Sequence, residues 1–270
     1  MIDVRNPKIE ELEFFAAFRN PLNAEARAKR MAESIQQGTA TLTKHWICSE
    51  NNVILAVWSL IASDTMVLCR SLDNISNSCA SAILESLETN TPSSKLILKR
   101  SSSRLFDDIA LARGWSLQER SIHYLTFLQN RQDLHSDGQV KSFDLEELNS
   151  EQFQDFFLAL NSEQSRSEIH ERFTDYENTS VQILIENNQF IAAGVMGFVR
   201  DTIAMDIIGV LPRKRRQGLG TRLHQHMMWI SRALGNNYVG MTDAENLPML
   251  KIFESNRCLR NDEQVSLIFK

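Results

Sequence analysis

The chain has 270 residues, 43% of them apolar and 23% charged, with a formal net charge of −5 at pH 7; that is room for one large globular domain or two ordinary ones, and an acidic balance that excludes a protein coated for nucleic acid. No apolar run approaches the roughly 18 residues of a membrane span, and the opening MIDVRNPKIEELEFF carries acids where a secretory leader needs a basic start, so neither is expected. The four cysteines, Cys48, Cys69, Cys79 and Cys258, show no C-x-x-C spacing and are expected to be reduced, mostly packed thiols of a cytoplasmic protein.

Taken in order, the VRNP of residues 4–7 predicts a short strand. Residues 9–18 predict a helix with Leu12, Phe15 and Phe18 on one side, and 22–37 a second helix with Pro21 at its entry. Strands are expected at 45–48, 53–61 and 65–69, the first two joined by the turn Glu50-Asn51-Asn52. A helix over 78–87, a strand over 95–98, a helix over 105–112 closed by Gly114, and a strand over 121–128 complete the first half. The polar stretch NRQDLHSDGQV, 130–140, reads as a linker. The pattern then restarts: a strand over 140–145, helices over 152–160 and 167–176, and strands over 181–185 and 190–198 joined by Glu186-Asn187-Asn188. A last strand is expected over 264–269.

The stretch 202–234 carries the strongest chemical signal. It opens on an apolar run with one embedded acid, TIAMDIIGV, passes through the basic, glycine-bearing LPRKRRQGLG, and ends in TRLHQHMMWISRAL. Leu219, Leu223, Met227, Ile230 and Leu234 recur there at helical spacing, so strand, turn and helix follow directly on one another. Gly218 and Gly220 allow a tight bend and close approach of a ligand to the backbone. The first amides of a helix have no intrahelical acceptor and lie at the positive end of its dipole, which makes an anion site. Arg213, Lys214, Arg215 and Arg216 add formal charge beside it, and a phosphate ester such as a diphosphate is the ligand that suits. A basic run is also a common solvated face, or a nuclear-import or nucleic-acid contact. The third glycine of the dinucleotide fingerprint and the Gly-Lys-Ser/Thr of a Walker loop are both absent.

The hexapeptide Arg215-Arg216-Gln217-Gly218-Leu219-Gly220 resembles the R/Q-x-x-G-x-G/A motif of the GNAT superfamily of N-acetyltransferases. Residues 246–254, NLPMLKIFE, resemble the family's N-x-x-A-x-x-L-Y-E segment: Asn246 and Glu254 match, and Phe253 falls where the family often has its tyrosine general acid. Arg257-Cys258 stand where Gly-Phe is usual. The resemblance implies acetyl-CoA as co-substrate, no metal, and direct transfer of the acetyl group to a primary amine. It further implies that Arg215, Arg216, Gln217, Gly218, Leu219, Gly220 and Thr221 hold the diphosphate. Ile208, Gly209 and Val210 would line the pantetheine and offer a backbone amide to the oxyanion, and Asn246 would meet the cofactor arm. Expected partners are acetyl-CoA and an amine, with no nucleic acid or membrane, in a monomer or homodimer. An acyl-CoA-binding sensor without turnover, or a scaffold, is the alternative.

The element order β-α-α-β-β-β-α-β-α-β appears twice, a repeat of architecture rather than of sequence. The expected fold is therefore α/β of the α+β type: two GNAT-like domains, 1–135 and 138–270, each a mixed central sheet flanked by helices. After Val67-Leu68-Cys69 the first half reads RSLDNISNSCAS, with no glycine and one arginine. The N-terminal half is expected to have lost coenzyme A binding and to serve as a lid or a wall of the acceptor pocket.

Acyl transfer to an amine needs a group that takes the amine proton, a donor for the developing oxyanion, and a proton or dipole for the leaving thiolate. Asp206 is the candidate base: a carboxylate inside an apolar strand, alternating with Ala204, Ile208 and Val210 on one face, would be raised toward neutrality. It would equally suit a solvated sheet opening or an arginine pair, and Asp243 and Glu245 are further candidates. For the acid, Tyr176 and Tyr238 have the hydroxyl that Phe253 lacks, though a buried tyrosine is commonly core. His224 and His226, two apart on the helix, face different directions and read as solvated or packed rather than metal-binding. Trp46, Trp58, Trp115 and Trp229 read as core.

Overall fold

The computed structural model describes residues 2–19, 24–61, 66–71, 75–90, 95–100, 105–143, 151–160, 177–199, 202–235 and 237–269. The expected helix over 167–176 with Tyr176, the Pro21 entry, and residues 72–74 lie outside them. The chain divides into two compact units, one of residues 1–121 with 262–270 and one of residues 122–261.

The first unit contains β1 (Ile2–Arg5), α1 (Leu12–Arg19), α2 (Ala24–Gln36), β2 (His45–Glu50), β3 (Val53–Ile61), β4 (Met66–Ser71), α3 (Asn77–Asn90), β5 (Lys95–Arg100), α4 (Leu105–Ala112) and the start of β6 (Trp115–Phe127). The second takes the end of β6, then β7 (Val140–Phe143), α5 (Glu151–Leu160), β8 (Glu177–Glu186), β9 (Gln189–Val199), β10 (Thr202–Val210), α6 (Leu219–Leu234), β11 (Asn237–Asp243), α7 (Leu247–Ser255) and the start of β12 (Leu259–Phe269). Both Asn-Asn turns form as read. Asn51 and Asn52, and again Asn187 and Asn188, all hold positive φ, the backbone of a two-residue hairpin turn whose twist matches its strands.

Strand order in the first unit is β1-β2-β3-β4-β5-β12, and in the second β6-β11-β10-β9-β8-β7. The last strand of each half therefore completes the sheet of the other unit. Strand β12 lies antiparallel to β5, with Val265 opposite Leu98. The compact units consequently do not follow the expected division at 135 and 138, because pairing choice is not written in a strand's own pattern.

Strands β6 and β12 also start earlier than expected, at Trp115 and Leu259. Their polar stretches hid them. Arg120 pairs with buried Glu263 at 3.1 Å and buried Asp107 at 3.5 Å, and Arg70 pairs with Asp262 at 3.5 Å, so charges that read as loop are sheet residues with partners.

In the second unit α6 and α7 cover one face of the sheet and α5 the other. Leu223, Met227 and Met228 of α6 are fully buried against Ile203, Met205 and Tyr238; each such side chain contributes roughly 1.5–3 kcal/mol. Phe153, Phe156, Phe157 and Leu160 of α5 pack on Val181, Ile183, Ala193 and Val195. The expected linker is instead a strap across α6. Leu128 and Leu134 enter the core, Arg131 donates to the Asn256 carbonyl at 2.8 Å, and Arg232 donates to the Arg131 carbonyl at 3.0 Å. Arg222 pairs with Asp137 at 2.8 Å, and the Asp137 amide donates to His226 Nδ1 at 2.8 Å. Its polarity serves anchoring rather than solvation.

Candidate functional site

The site is built around the second half of β10. Strand β10 runs parallel to β11 at Ile203–Tyr238, Ala204–Val239 and Met205–Gly240, and among the described residues the pairing stops there. Both strands continue, β10 to Val210 and β11 to Asp243, while β10 stays zipped to β9 as far as Val210–Ala192. The two parallel strands thus part, and among the described residues no strand pairs with the edge of 207–210 that faces the wedge. A β-bulge in the ladder with β9 lies at the same point, at Asp206 between Met205 and Ile207; bulges bend a strand and increase its local twist.

The bulge also resets the alternation. Ile203 and Met205 before it, and Ile208 and Val210 after it, pack toward α6, whereas Ile207 packs toward α5. The expected single face of Ala204, Asp206, Ile208 and Val210 is therefore corrected. Asp206 is half-buried at the bulge itself.

After β10 the Leu211 amide donates to the Ile191 carbonyl at 3.0 Å, a one-turn 3-10 helix spans Pro212–Lys214, and the chain reverses through Arg216 and Gly218, with φ of 62° and 76°. Gly218 is the N-cap of α6 and has no side chain with which to cap. Its left-handed φ is one that glycine adopts freely. The leading amides of α6 are left to whatever lies in front of them.

The four cations of the turn are not equivalent. Arg213 reaches Gln189 at 3.5 Å and Lys214 pairs with Glu186 at 3.2 Å. Arg215 donates to the carbonyls of Val210 at 3.0 Å and Leu160 at 3.3 Å. Arg216 is exposed and, among the described residues, has no hydrogen-bond or ion-pair partner. Gln217 and Gly218 are exposed, Leu219 is buried and Thr221 half-buried.

Close packing explains three glycines around the site. A Cβ on Gly220 would lie 2.8 Å from Ile252 of α7, one on Gly209 would lie 3.2 Å from Leu160, and one on Gly240 would lie 2.6 Å from the Phe253 ring. Gly220 is thus a helix-packing position as well as part of the turn. Asn246 caps α7, its side-chain oxygen accepting from the Met249 amide at 3.2 Å.

Phe253 is fully buried. Its ring stacks on Tyr124 at 4.2 Å between centroids and meets His224 edge-on at 5.2 Å. Tyr124 lies in the strand expected over 121–128 but was not singled out there, because nothing in its own segment announces Phe253 as a neighbour; burial and Glu254 push its hydroxyl above the usual phenol range. Tyr238 is core, its hydroxyl buried without a partner among the described residues and held well above its ordinary range by burial. His224 and His226 are both packed. Asn256 Nδ2 lies 2.8 Å from His224 Nδ1 and also donates to the Thr221 carbonyl, and burial pushes His224 down to about 3. Burial lowers His226 too, against the opposing pull of Asp137. Asp243 and Glu245 are exposed, with Asp243 accepting the Glu245 amide at 2.6 Å. All four cysteines are free and buried. Among the described residues no cluster of three or more His, Cys, Asp or Glu is placed to hold a metal, and no helix is long and apolar enough to cross a membrane.

Residues 144–257 match the model of the Acetyltransferase (GNAT) family. No curated protein matches the chain. Among solved structures, a GCN5-related N-acetyltransferase from Sphaerobacter thermophilus is similar with a TM-score of 0.62 at 8% identity, over 98% of this chain and 94% of that one. An acetyltransferase of the GNAT family from Colwellia psychrerythraea is similar with a TM-score of 0.57 at 14% identity, over 100% of both chains. A tandem GNAT protein of the clavulanic acid biosynthesis pathway gives 0.52 at 10% identity, over 99% and 98%. At these identities the structures speak for the fold, and the family model speaks for the segment, residues 144–257, that holds the wedge and the turn: that segment matches the Acetyltransferase (GNAT) family.

Proposed function

We propose that the second unit binds acetyl-CoA and transfers its acetyl group to a primary amine by direct attack. The observation that carries the reading is the divergence of β10 from β11 after Met205, immediately before a helix start that has no side-chain cap. An extended arm ending in phosphates suits that pair of features: backbone groups of Ile208, Gly209 and Val210 for the amide-bearing pantetheine, and the amides at Gly218, Leu219, Gly220 and Thr221 with Arg216 for the diphosphate. In the transfer the amine nitrogen bonds to the acetyl carbon, the carbon–sulfur bond breaks, a backbone amide near Ile208 to Val210 holds the oxyanion, and the thiolate leaves to be protonated. Asp206, at the bulge where the wedge opens, is the group assigned to the amine proton. The first unit is assigned no coenzyme A.

One observation favours a second reading, an acyl-CoA sensor without turnover: Phe253 fills the place of the family's usual acid with a ring that has no proton to give. Turnover of acetyl-CoA with any member of an amine panel excludes it.

The first test is thermal stability with and without acetyl-CoA, for the wild type and for Arg216→Glu, which touches no packed residue. Ligand at about 100 times its dissociation constant should add about 2.7 kcal/mol to a native state that binds it, and the charge reversal should abolish most of that gain. A wild type that acetyl-CoA does not stabilise sinks both readings.

A further inference from the structure

Arg215 opens the turn's hexapeptide, yet its guanidinium is engaged by the protein. One N–H donates to the carbonyl of Val210, the last residue of β10, and another to the carbonyl of Leu160, the last residue of α5. The same two elements touch again where Gly209 approaches Leu160 closely enough that a methyl group would sit 3.2 Å from its Cβ and Cδ1. The end of β10 has lost β11 as a neighbour, so its carbonyl must find a donor outside the sheet. A planar fork of five N–H donors can serve two carbonyls at once; an ammonium at the end of a flexible stem holds them less rigidly.

We propose that Arg215 is a positioning residue and not a phosphate ligand. It ties the divergent end of β10 to the end of α5 and fixes the strand segment along which the pantetheine arm would lie, while Arg216 and the α6 amides meet the phosphates. The inference rests on the coenzyme A reading above.

The test compares affinity for coenzyme A, by calorimetry, with affinity for pantetheine, which lacks the diphosphate, by ligand-observed magnetic resonance. The proteins are the wild type, Arg215→Met, Arg215→Gln and Arg216→Gln. A positioning role requires Arg215→Met to weaken both ligands by the same factor, about tenfold, leaving their ratio at the wild-type value. Arg215→Gln, an uncharged donor, should recover most of the loss for both ligands, and Arg216→Gln should weaken coenzyme A alone. The inference is overturned if Arg215→Met weakens coenzyme A and spares pantetheine, which would make the residue a phosphate ligand. It is equally overturned if both affinities hold and only thermal stability drops, which would leave Arg215 a role in the fold alone. A wild type that binds neither ligand defeats the coenzyme A reading itself and this inference with it; the other two outcomes leave that reading standing.

Discussion

The two units take the chain through the same passage, a strand, a crossover, a helix and a parallel strand, and finish it differently. In the first unit β4 stays paired with β5 from Met66–Lys95 to Arg70–Lys99. Helix α3 is closed at its start, where the Ser76 hydroxyl accepts the Cys79 amide at 3.1 Å and the Ser76 carbonyl accepts the Ala80 amide at 3.0 Å. In the second unit β10 leaves β11 after Met205, and α6 starts from a glycine. The topology is common to both, so the open helix start is a property of particular residues: a bulge at Asp206 just where the pairing with β11 stops, and a Gly218 that withholds the cap a serine supplies elsewhere.

If the open passage had merely mislaid an acid, Phe253→Tyr would restore it. The ring is fully buried with its tip against Gly240, so the added hydroxyl has neither space nor partner and should cost about 3 kcal/mol in urea denaturation. An unchanged midpoint would show that the position can still host the family's acid.

Acid should separate the units next. His224 must remain neutral while Asn256 donates to it, and its folded value of about 3 lies below the ordinary 6.5. The unfolded chain therefore takes up the proton first, so this stability is complete above pH 6.5 and is lost as pH falls toward 3. In the first unit the Arg5 hydrogen bond holds Glu11 at about 2, from an ordinary 4.5, so that contribution survives until pH drops below 4.5. Between pH 7 and 5 hydrogen exchange should report a loss of roughly 2 kcal/mol of protection in β10 and α6, and little change in β2 and β3. In His224→Gln the difference should shrink; equal losses in both units of the wild type would contradict the assignment.

The smallest effect probes the closed passage. Ser76→Ala removes the α3 cap and should cost about 1 kcal/mol without creating any coenzyme A site, because β4 remains paired. A second binding stoichiometry in that variant would mean that the cap alone seals the first unit, and the comparison would fail.

Much of this was legible in the sequence because it is local. The Asn-Asn turns, the heptapeptide spacings of α6 and the order strand–turn–helix around 202–234 each need only neighbours to be recognised. What was missed depends on distant partners. Charged residues of β6 and β12 looked like loop until Arg120 met Glu263 and Asp107. The strap over 128–139 looked like linker until Arg131, Arg222 and Arg232 pinned it. Within the site the turn's glycines and cations were identified together, but which cation is spare could not be. That depends on carbonyls at Val210 and Leu160 and on the Glu186 carboxylate, residues that nothing in RKRR announces. The bulge at Asp206 is likewise silent: the acid shows in the apolar run, but not the extra residue it adds to the ladder with β9.

Because the final strand of each half completes the other unit's sheet, the order of synthesis matters. The first unit contains residues 262–270 as well as 1–121, so its β5 edge waits for a partner until the whole second unit has left the ribosome, although domains generally fold N-terminal first. The second unit closes only when 259–261 and the rest of its segment have followed β6, which by then is already made. A nascent chain of this protein therefore carries an unsatisfied β5 edge until β12 has been made, and a cut between the halves would yield two fragments that each lack a strand the other holds.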